Sequence, residues 1–403
     1  MQVYLDNSAT TKVYEEVAAP VYRALTEGYG NPSSIHAMGQ DAERVLKRAR
    51  QQVASAMNAR PENIIFTGSG TESDNLALHA VFRNTGRISG RKLIISEVEH
   101  AAVREQAAYL KSLGVEVVLL PVSPVGGDSP GIIDMGALAE ALDETVAMIS
   151  VTHVNNETGV IQPIGEIRKR VPKGDILIHT DAVQSFGKLP IDVEAGELGQ
   201  IDMISISAHK IHGPKGVGAL CAARPEKLSP LIRGGGQEGG LRSGTQNVPG
   251  IAGFGAAAEI ISADITAHAK QAAILRQRLL DGIMGHISDV SLNSPREASD
   301  SGRPGCCSPY ILNVSFLGTR GEVLVHDLER SGIYVSTGSA CASLKKDKRG
   351  INPVLAAIGL TKEAAEGALR FSFSRYNTPA EIDYTLEHLK AAVERFRKVG
   401  TFR

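Results

Sequence analysis

The chain has 403 residues, 42% hydrophobic and 22% charged, a balance that buries a large core and excludes disordered and fibrous classes. Lys and Arg total 43 against 44 Asp and Glu, a formal charge of −1, so no global field steers the chain to nucleic acid or an anionic membrane. With no Trp and 4% aromatics, a base-stacking platform is also excluded.

Met1–Asp6 has neither a basic segment nor an apolar stretch of the kind a signal peptide carries. No apolar run is long enough to span a bilayer. The four cysteines, Cys221, Cys306, Cys307 and Cys341, are too few for a disulfide framework and include no Cys-x-x-Cys pair, so a reducing cytoplasm is the expected compartment and no resident metal is expected.

A single core stops growing well below this length, so two domains are expected. From about residue 60 to 225, short aliphatic runs alternate with amphipathic stretches of helix length. The runs are Asn63–Thr67, Lys92–Ser96, Val115–Leu120, Val146–Thr152, Asp175–Thr180, Ile201–Ser207 and Gly218–Ala222. Strands this apolar on both faces predict a mostly parallel sheet covered by helices, an α/β class. After the glycine-rich Gly234–Gly240 the pattern changes to a helical segment near Phe254–Ile283, a Ser/Gly/Pro loop over Ser299–Ser308, a strand at Ile311–Phe316 and a closing helix over Thr378–Lys398. The expected division is a large α/β domain over residues 15–253 and a smaller α+β domain from 1–14 and 254–403.

Ligands in such sheets bind beyond the carboxyl ends of the strands. After Asn63–Thr67 comes Gly68-Ser69-Gly70-Thr71-Glu72-Ser73-Asp74-Asn75, small and capping residues that open a helix whose backbone N–H groups suit a phosphate. Asp181 follows Asp175–Thr180, with Gln184 three residues on. Lys210 follows Ile201–Ser207 within Ala208-His209-Lys210, and His100 follows Lys92–Ser96. Lys215 is a second lysine nearby, set between Pro214 and Gly216 in a turn away from the strand end. Taken singly, these residues read as an N-capped turn, a helix cap and a hydrogen-bonded loop histidine. Jointly they are the parts of a pyridoxal phosphate site: an amine for the aldehyde, a carboxylate for the pyridinium nitrogen and donors for the phosphate.

With these residues in place, the chain closely resembles the cysteine desulfurases of the NifS/IscS type, within the class V aminotransferases of the aspartate-aminotransferase-like fold type I. The matching stretches run in order through Tyr4–Thr11, Gly30–His36, Gly70–Asn75, Val98–His100, His153–Gly159, Ser205–Lys215, Gly234–Glu238, Ser243–Thr245, Ser336–Cys341 and Leu369–Ser372. The resemblance implies a large domain with a mostly parallel seven-stranded sheet, Lys210 as the Schiff-base lysine, Asp181 at the pyridinium nitrogen and His100 stacked on the ring. It assigns Gly70, Thr71, Ser207 and His209 to the phosphate, Gln184 and Asn156 to the phenolic oxygen and the substrate side, and Arg370 to the substrate carboxylate. Thr245 matches a phosphate contact given to a neighbouring subunit, which implies a homodimer.

The implied reaction converts L-cysteine to L-alanine and leaves sulfur on Cys341 as a persulfide, with His100 assisting the thiolate. The sulfur then passes to an acceptor such as an iron–sulfur scaffold protein or a thiolation pathway, and Cys341 is a candidate transient iron–sulfur ligand. Cys221 reads as a buried core thiol, and Cys306 and Cys307 as incidental or regulatory. After Cys341 the chain is longer and more basic than its relatives, through Lys345, Lys346, Lys348 and Arg349, which suits either an acidic carrier or a solvated loop. Arg395–Lys398 is read either as a partner surface or as helix-end cations. Rival readings are a selenocysteine lyase or another fold type I enzyme, and, from a different class, a non-catalytic scaffold that docks sulfur carriers.

Overall fold

The computed structural model describes residues 1–82, 91–127, 129–171, 176–196, 198–338 and 351–398. Strand β1 (Val3–Tyr4) leads into helices α1 (Glu15–Thr26) and α2 (Ala37–Ser55). Alternation then sets in: β2 (Ile64–Thr67), α3 (Gly70–His79), β3 (Lys92–Ser96), α4 (Ala101–Ser112), β4 (Glu116–Leu120), α5 (Met135–Ala141), β5 (Val146–Ser150), α6 (Ile164–Arg170), β6 (Leu177–Asp181), β7 (Met203–Ser207) and β8 (Gly218–Ala222). Strands β2 to β8 form one seven-stranded sheet in the order β2-β8-β7-β6-β5-β3-β4. All neighbours are parallel except β8, which runs antiparallel to both β2 and β7.

The doubly apolar runs are needed because the sheet is covered on both faces. Successive side chains point to opposite sides of a strand, so Ile94, Ile149, Ile178 and Ile204 enter one core with residues of α1 and α2. Their neighbours Leu93, Met148, Leu177 and Met203 enter another with residues of α3 and α4. Asp181 is the last residue of β6 rather than the first beyond it, so its side chain is placed by the sheet itself.

The helical segment expected over Phe254–Ile283 is two helices, α7 (Val248–Ser262) and α8 (Ile265–His286), bent by 74°. Asp264, at φ −151° and ψ 48°, leaves the helical region and breaks the run. Helix α7 packs against α1 and α2, and its Phe254, Ala257, Ala258 and Ile261 continue the first core past residue 253. Helix α8 packs on the closing helix Pro379–Lys398. Together with β9 (Val290–Leu292), β10 (Ile311–Phe316), α9 (Gly321–Arg330), β11 (Ile333–Tyr334) and β12 (Ala368–Ser372) these enclose a second core. Its antiparallel sheet has the order β12-β10-β9, and β1 pairs in parallel with β11, which brings Val3 and Leu5 into that core. Among the described residues no single helix is long and apolar enough to cross a membrane.

The cations at the end of the closing helix are engaged within the chain. Arg395 pairs with Asp327, and Arg397 donates to the carbonyls of Leu317 at 2.9 Å and Asp289 at 3.0 Å. This favours the helix-end reading of Arg395 and Arg397 over a free partner surface.

Gly218 opens β8 directly against the β2–α3 turn: a Cβ there would stand 2.6 Å from the carbonyl carbon of Ser69 and 2.9 Å from the nitrogen of Gly70. Gly218→Ala is therefore expected to lower stability by about 1–3 kcal/mol, the cost of overpacking a tight site. Denaturant titration measures it, and an unchanged midpoint and slope would show that the turn yields freely.

Candidate functional site

The ends of β2, β3, β5, β6 and β7 surround a cavity of about 270 Å³, at the low end of small-molecule sites. Of the residues expected in the site, Gly70, Thr71, His100, Asn156, Asp181, Gln184, Ser207, His209, Lys210 and Arg370 all line it. Thr245 does not; it is exposed on the surface outside the cavity of its own chain. Cys341 and the basic segment 342–350 lie outside the described residues. Lys215 is exposed and absent from the cavity wall, whereas Lys210 is the lysine among the described residues that line it.

One end of the cavity is an anion cradle. Ser69, in extended conformation, caps α3, its Oγ accepting from the Glu72 N–H at 3.1 Å. Glu72 reaches back to accept from the Gly68 N–H at 2.9 Å and pairs with Arg242 at 2.7 Å, fixing the turn from both sides. The first N–H groups of α3 and the positive end of its dipole thus face the cavity. Gly70 has no room for a side chain, since a Cβ would lie 2.7 Å from Val183 Cγ2. Ser207 Oγ is buried without a hydrogen-bond partner, a donor aimed at a wall that offers it nothing. Burial lowers the His209 pKa to about 4, so this imidazole is neutral near pH 7.

The same cavity also carries ionisable groups. Asp181 accepts from the Val183 N–H at 2.9 Å; burial raises its pKa, while His100 and Lys210 pull it back. His100 caps α4 through Nδ1, which accepts from the Ala102 N–H at 3.2 Å, so the ring proton is assigned to Nε2. Burial lowers its pKa and Asp181 raises it. Lys210 ends a single 3₁₀ turn directly after β7, and its Nζ donates to the carbonyls of Ser8 and Ala9. Those carbonyls come from the N-terminal segment, so the amine is held between the two cores.

Gln184 is fixed at both ends, Nε2 donating to the Ser8 carbonyl at 3.0 Å and Oε1 accepting from Lys188 at 3.1 Å. Lys188 is buried, and burial lowers its pKa to about 7. Arg370 on β12 is 1% exposed. It pairs with Asp6 at 3.0 Å, lies 3.7 Å from Glu157 and donates to the Asn156 carbonyl at 3.0 Å, while its Nε has no partner. A buried guanidinium with a remaining donor beside a polar cavity is suited to a carboxylate.

Sequence reasoning missed several residues. Ser8, Ala9, Thr152 and Asp74 line the cavity, and Glu99 is buried behind it, accepting from Ser96 Oγ and from the Thr152 N–H at 2.9 Å, with its pKa pushed by burial to about 8. Asp74 carried a signal, one helical turn after Gly70 on the same face. Ser8 and Ala9 carried none, because they act through backbone carbonyls. The other thiols fit core roles: burial raises the pKa of Cys221 to about 12 and also raises those of Cys306 and Cys307. Cys306 and Cys307 are buried although the loop holding them is irregular. Glu238, at the end of the Gly234–Glu238 stretch, accepts two hydrogen bonds from Arg50, both at 2.9 Å, and locks the loop to β2 through the Phe66 N–H.

Residues 3–385 match the family model described as aminotransferase class-V. The chain is 40% identical over 402 residues to a protein of Dictyoglomus turgidum named cysteine desulfurase IscS, covering 100% of this chain and 97% of that one. It is 40% identical over 399 residues to a protein of the same name from Methanosarcina thermophila, covering 99% and 93%. A solved structure described as a NifS-like protein superposes with a TM-score of 0.87 at 37% identity, covering 98% of this chain and 100% of that one. The sheet order and the cavity at its strand ends are those of fold type I, and the chain belongs to the class-V aminotransferase family, within its group of NifS/IscS-type cysteine desulfurases.

Proposed function

We propose that the protein is a pyridoxal-phosphate-dependent cysteine desulfurase that converts L-cysteine to L-alanine and passes the sulfur through Cys341 to an acceptor protein. One observation carries this reading: an amine, a buried carboxylate, a capping imidazole, an anion cradle and a buried guanidinium, drawn from separate elements, converge on one cavity. Similarity over the whole chain to cysteine desulfurases adds the reaction. No observation favours a selenocysteine lyase, another transamination chemistry or a non-catalytic scaffold.

The residues present fit the cofactor. Ser207 Oγ lacks a partner that a phosphate supplies, the N-terminus of α3 meets the cavity at Gly70 and Thr71, Gly70 leaves the phosphate room, and the Asp181 carboxyl lines the same cavity. When bound, pyridoxal phosphate supplies an aldehyde that takes up amines and a ring that accepts electron density from the substrate. Lys210 Nζ serves first as the anchoring amine and then as the base for the substrate Cα proton. Its two carbonyl partners keep Nζ over the cavity while orienting its lone pair. Arg370 binds the substrate carboxylate and sets which substrate bond faces the reacting groups. The Cys341 thiolate accepts the substrate sulfur: an S–S bond forms, the substrate Cβ–S bond breaks, and Cβ gains the electron pair and a proton to become the methyl group of alanine. His100, whose side chain lines the cavity, is the proposed acceptor of the Cys341 proton.

Thr245, exposed away from its own cavity, supports a homodimer in which it serves the neighbouring site. The exposed Tyr22, Leu25, Tyr29 and Ile35 of the α1–α2 region offer apolar surface for such a partner. The thiols of Cys221, Cys306 and Cys307 are free, which supports a reducing compartment such as the cytoplasm. An iron–sulfur scaffold protein is the proposed acceptor, with Cys341 as a transient ligand of the forming cluster. The proposed domain seam lies near Ala263, since the first core continues to Ile261.

Incubation of the purified protein with L-cysteine tests the reading: equimolar alanine and sulfide are expected in the presence of a thiol reductant, with a persulfide found by peptide mass on Cys341. Persulfide on Cys306 or Cys307 instead would contradict the assignment. Lys210→Ala is expected to abolish the borohydride-reducible adduct; an adduct that persists at another lysine would remove Lys210 from its role. Arg370→Lys keeps the charge but loses the planar fork, so KM for L-cysteine is expected to rise about tenfold to a hundredfold, matching about 1.5–3 kcal/mol for charge-assisted hydrogen bonds. An unchanged KM would place the substrate carboxylate elsewhere.

A further inference from the structure

Two carboxyl groups from different elements meet in the wall of the cavity. Asp181 closes β6, and Asp74 lies one turn into α3, on the helix that opens the anion cradle. Both line the cavity, with Asp74 1% and Asp181 6% exposed. A carboxylate oxygen of each and a ring nitrogen of His100 lie within 4.8 Å of one another. Asp181 has a donor of its own in the Val183 N–H. Asp74 accepts a hydrogen bond from Ser205, but its Oδ1, fully buried, has no hydrogen-bond partner.

The surroundings of the two are unequal. Asp181 is acted on by His100 and Lys210, both of which favour its anion. The ionisable groups acting on Asp74 are Asp181 and Glu99, both acidic and neither a source of positive charge. His179 Nε2 stands 3.6 Å from Asp74 Oδ1, but this imidazole is bound between Ser150 Oγ at 2.8 Å and Ser205 Oγ at 2.9 Å. Burial drives the His179 pKa down to about 3, so it brings no positive charge to the pair near pH 7. Burial and the Asp181 charge push the Asp74 carboxyl well above the ordinary range. Two carboxylates this close in a dry site do not both ionise.

We propose that Asp74 is a positioning residue that carries the single proton of a buried carboxyl pair, so that the pair's one negative charge is confined to Asp181. The proton gives Asp74 an O–H to donate where it now has an unmatched acceptor. It also removes a second anion from beside the cradle, where it would repel the cofactor's phosphate. Asp74 acts through Asp181 and touches no substrate in this role. The inference rests on the reading of Asp181 as partner of the cofactor's ring nitrogen and not on the identity of the substrate.

The test labels aspartate at Cγ with ¹³C, which separates these carboxyls from that of Glu99, and follows them by NMR in the holoenzyme and in the same protein freed of pyridoxal phosphate. One aspartate is expected to remain protonated at about pH 7, to titrate only above neutrality, and to vanish from the spectrum of Asp74→Asn. An aspartate set fully ionised at that pH would overturn the proposal, and this needs no variant to fold. As a second readout, Asp74→Ala is expected to weaken pyridoxal phosphate binding about tenfold and Asp74→Asn, which imitates the neutral acid, to restore most of it. Asparagine as damaging as alanine would show that the ionised carboxylate is required. Protein that takes up no pyridoxal phosphate would refute the proposed function, while the labelled spectrum would still decide the state of Asp74.

Discussion

A carboxylate at the end of a strand buried on both faces is costly unless charge, hydrogen bonds or a proton compensates it. Asp181 is such a group, 6% exposed at the last residue of β6. Much of the site is arranged around that cost: the Val183 N–H, the His100 imidazole and the Lys210 amine all act to keep it ionised. A cationic ring nitrogen, as in the proposed pyridine cofactor, would complete the compensation, and this argues for that cofactor more directly than the fold alone, which hosts many chemistries.

The same economy governs the other end of the cavity. The N-terminus of α3 meets the cavity at Gly70 and Thr71, and Ser207 Oγ is buried without a partner. Gly70 and Gly218 keep that space open because a Cβ at either would meet Val183 or Ser69 at under 3 Å. The N-terminal segment ties the two cores together at Lys210: Val3 and Leu5 pack with the second core, while the Ser8 and Ala9 carbonyls hold the Lys210 amine at the edge of the first. Arg370 reaches the cavity from β12 in the second core, so both cores contribute side chains to the site.

Much of this was legible in the sequence because strand-end position and residue chemistry are both local. Lys92–Ser96, Gly218–Ala222 and Ile311–Phe316 have the expected bounds, since β-branched and aliphatic runs flanked by Gly or charge leave little choice. The helical segment expected near Phe254–Ile283 divides at Asp264 because the backbone there leaves the helical region, a feature that the periodicity of apolar residues does not specify. Backbone carbonyl partners such as Ser8 carry no side-chain signal, and the burial of Glu99 and Asp74 emerges only when distant elements pack. Lys188 sits four residues after Gln184, yet its contact with that amide depends on a turn that propensity does not specify.

The central claim is that Lys210 anchors the cofactor with its ring nitrogen on Asp181 and its phosphate on the N-terminus of α3. A crystal structure of the protein after incubation with pyridoxal phosphate tests it most directly. The account predicts continuous density from Lys210 Nζ to the ring, with the ring nitrogen at hydrogen-bond distance from an Asp181 oxygen. Density joined to another lysine, or a ring nitrogen facing away from Asp181, would contradict it.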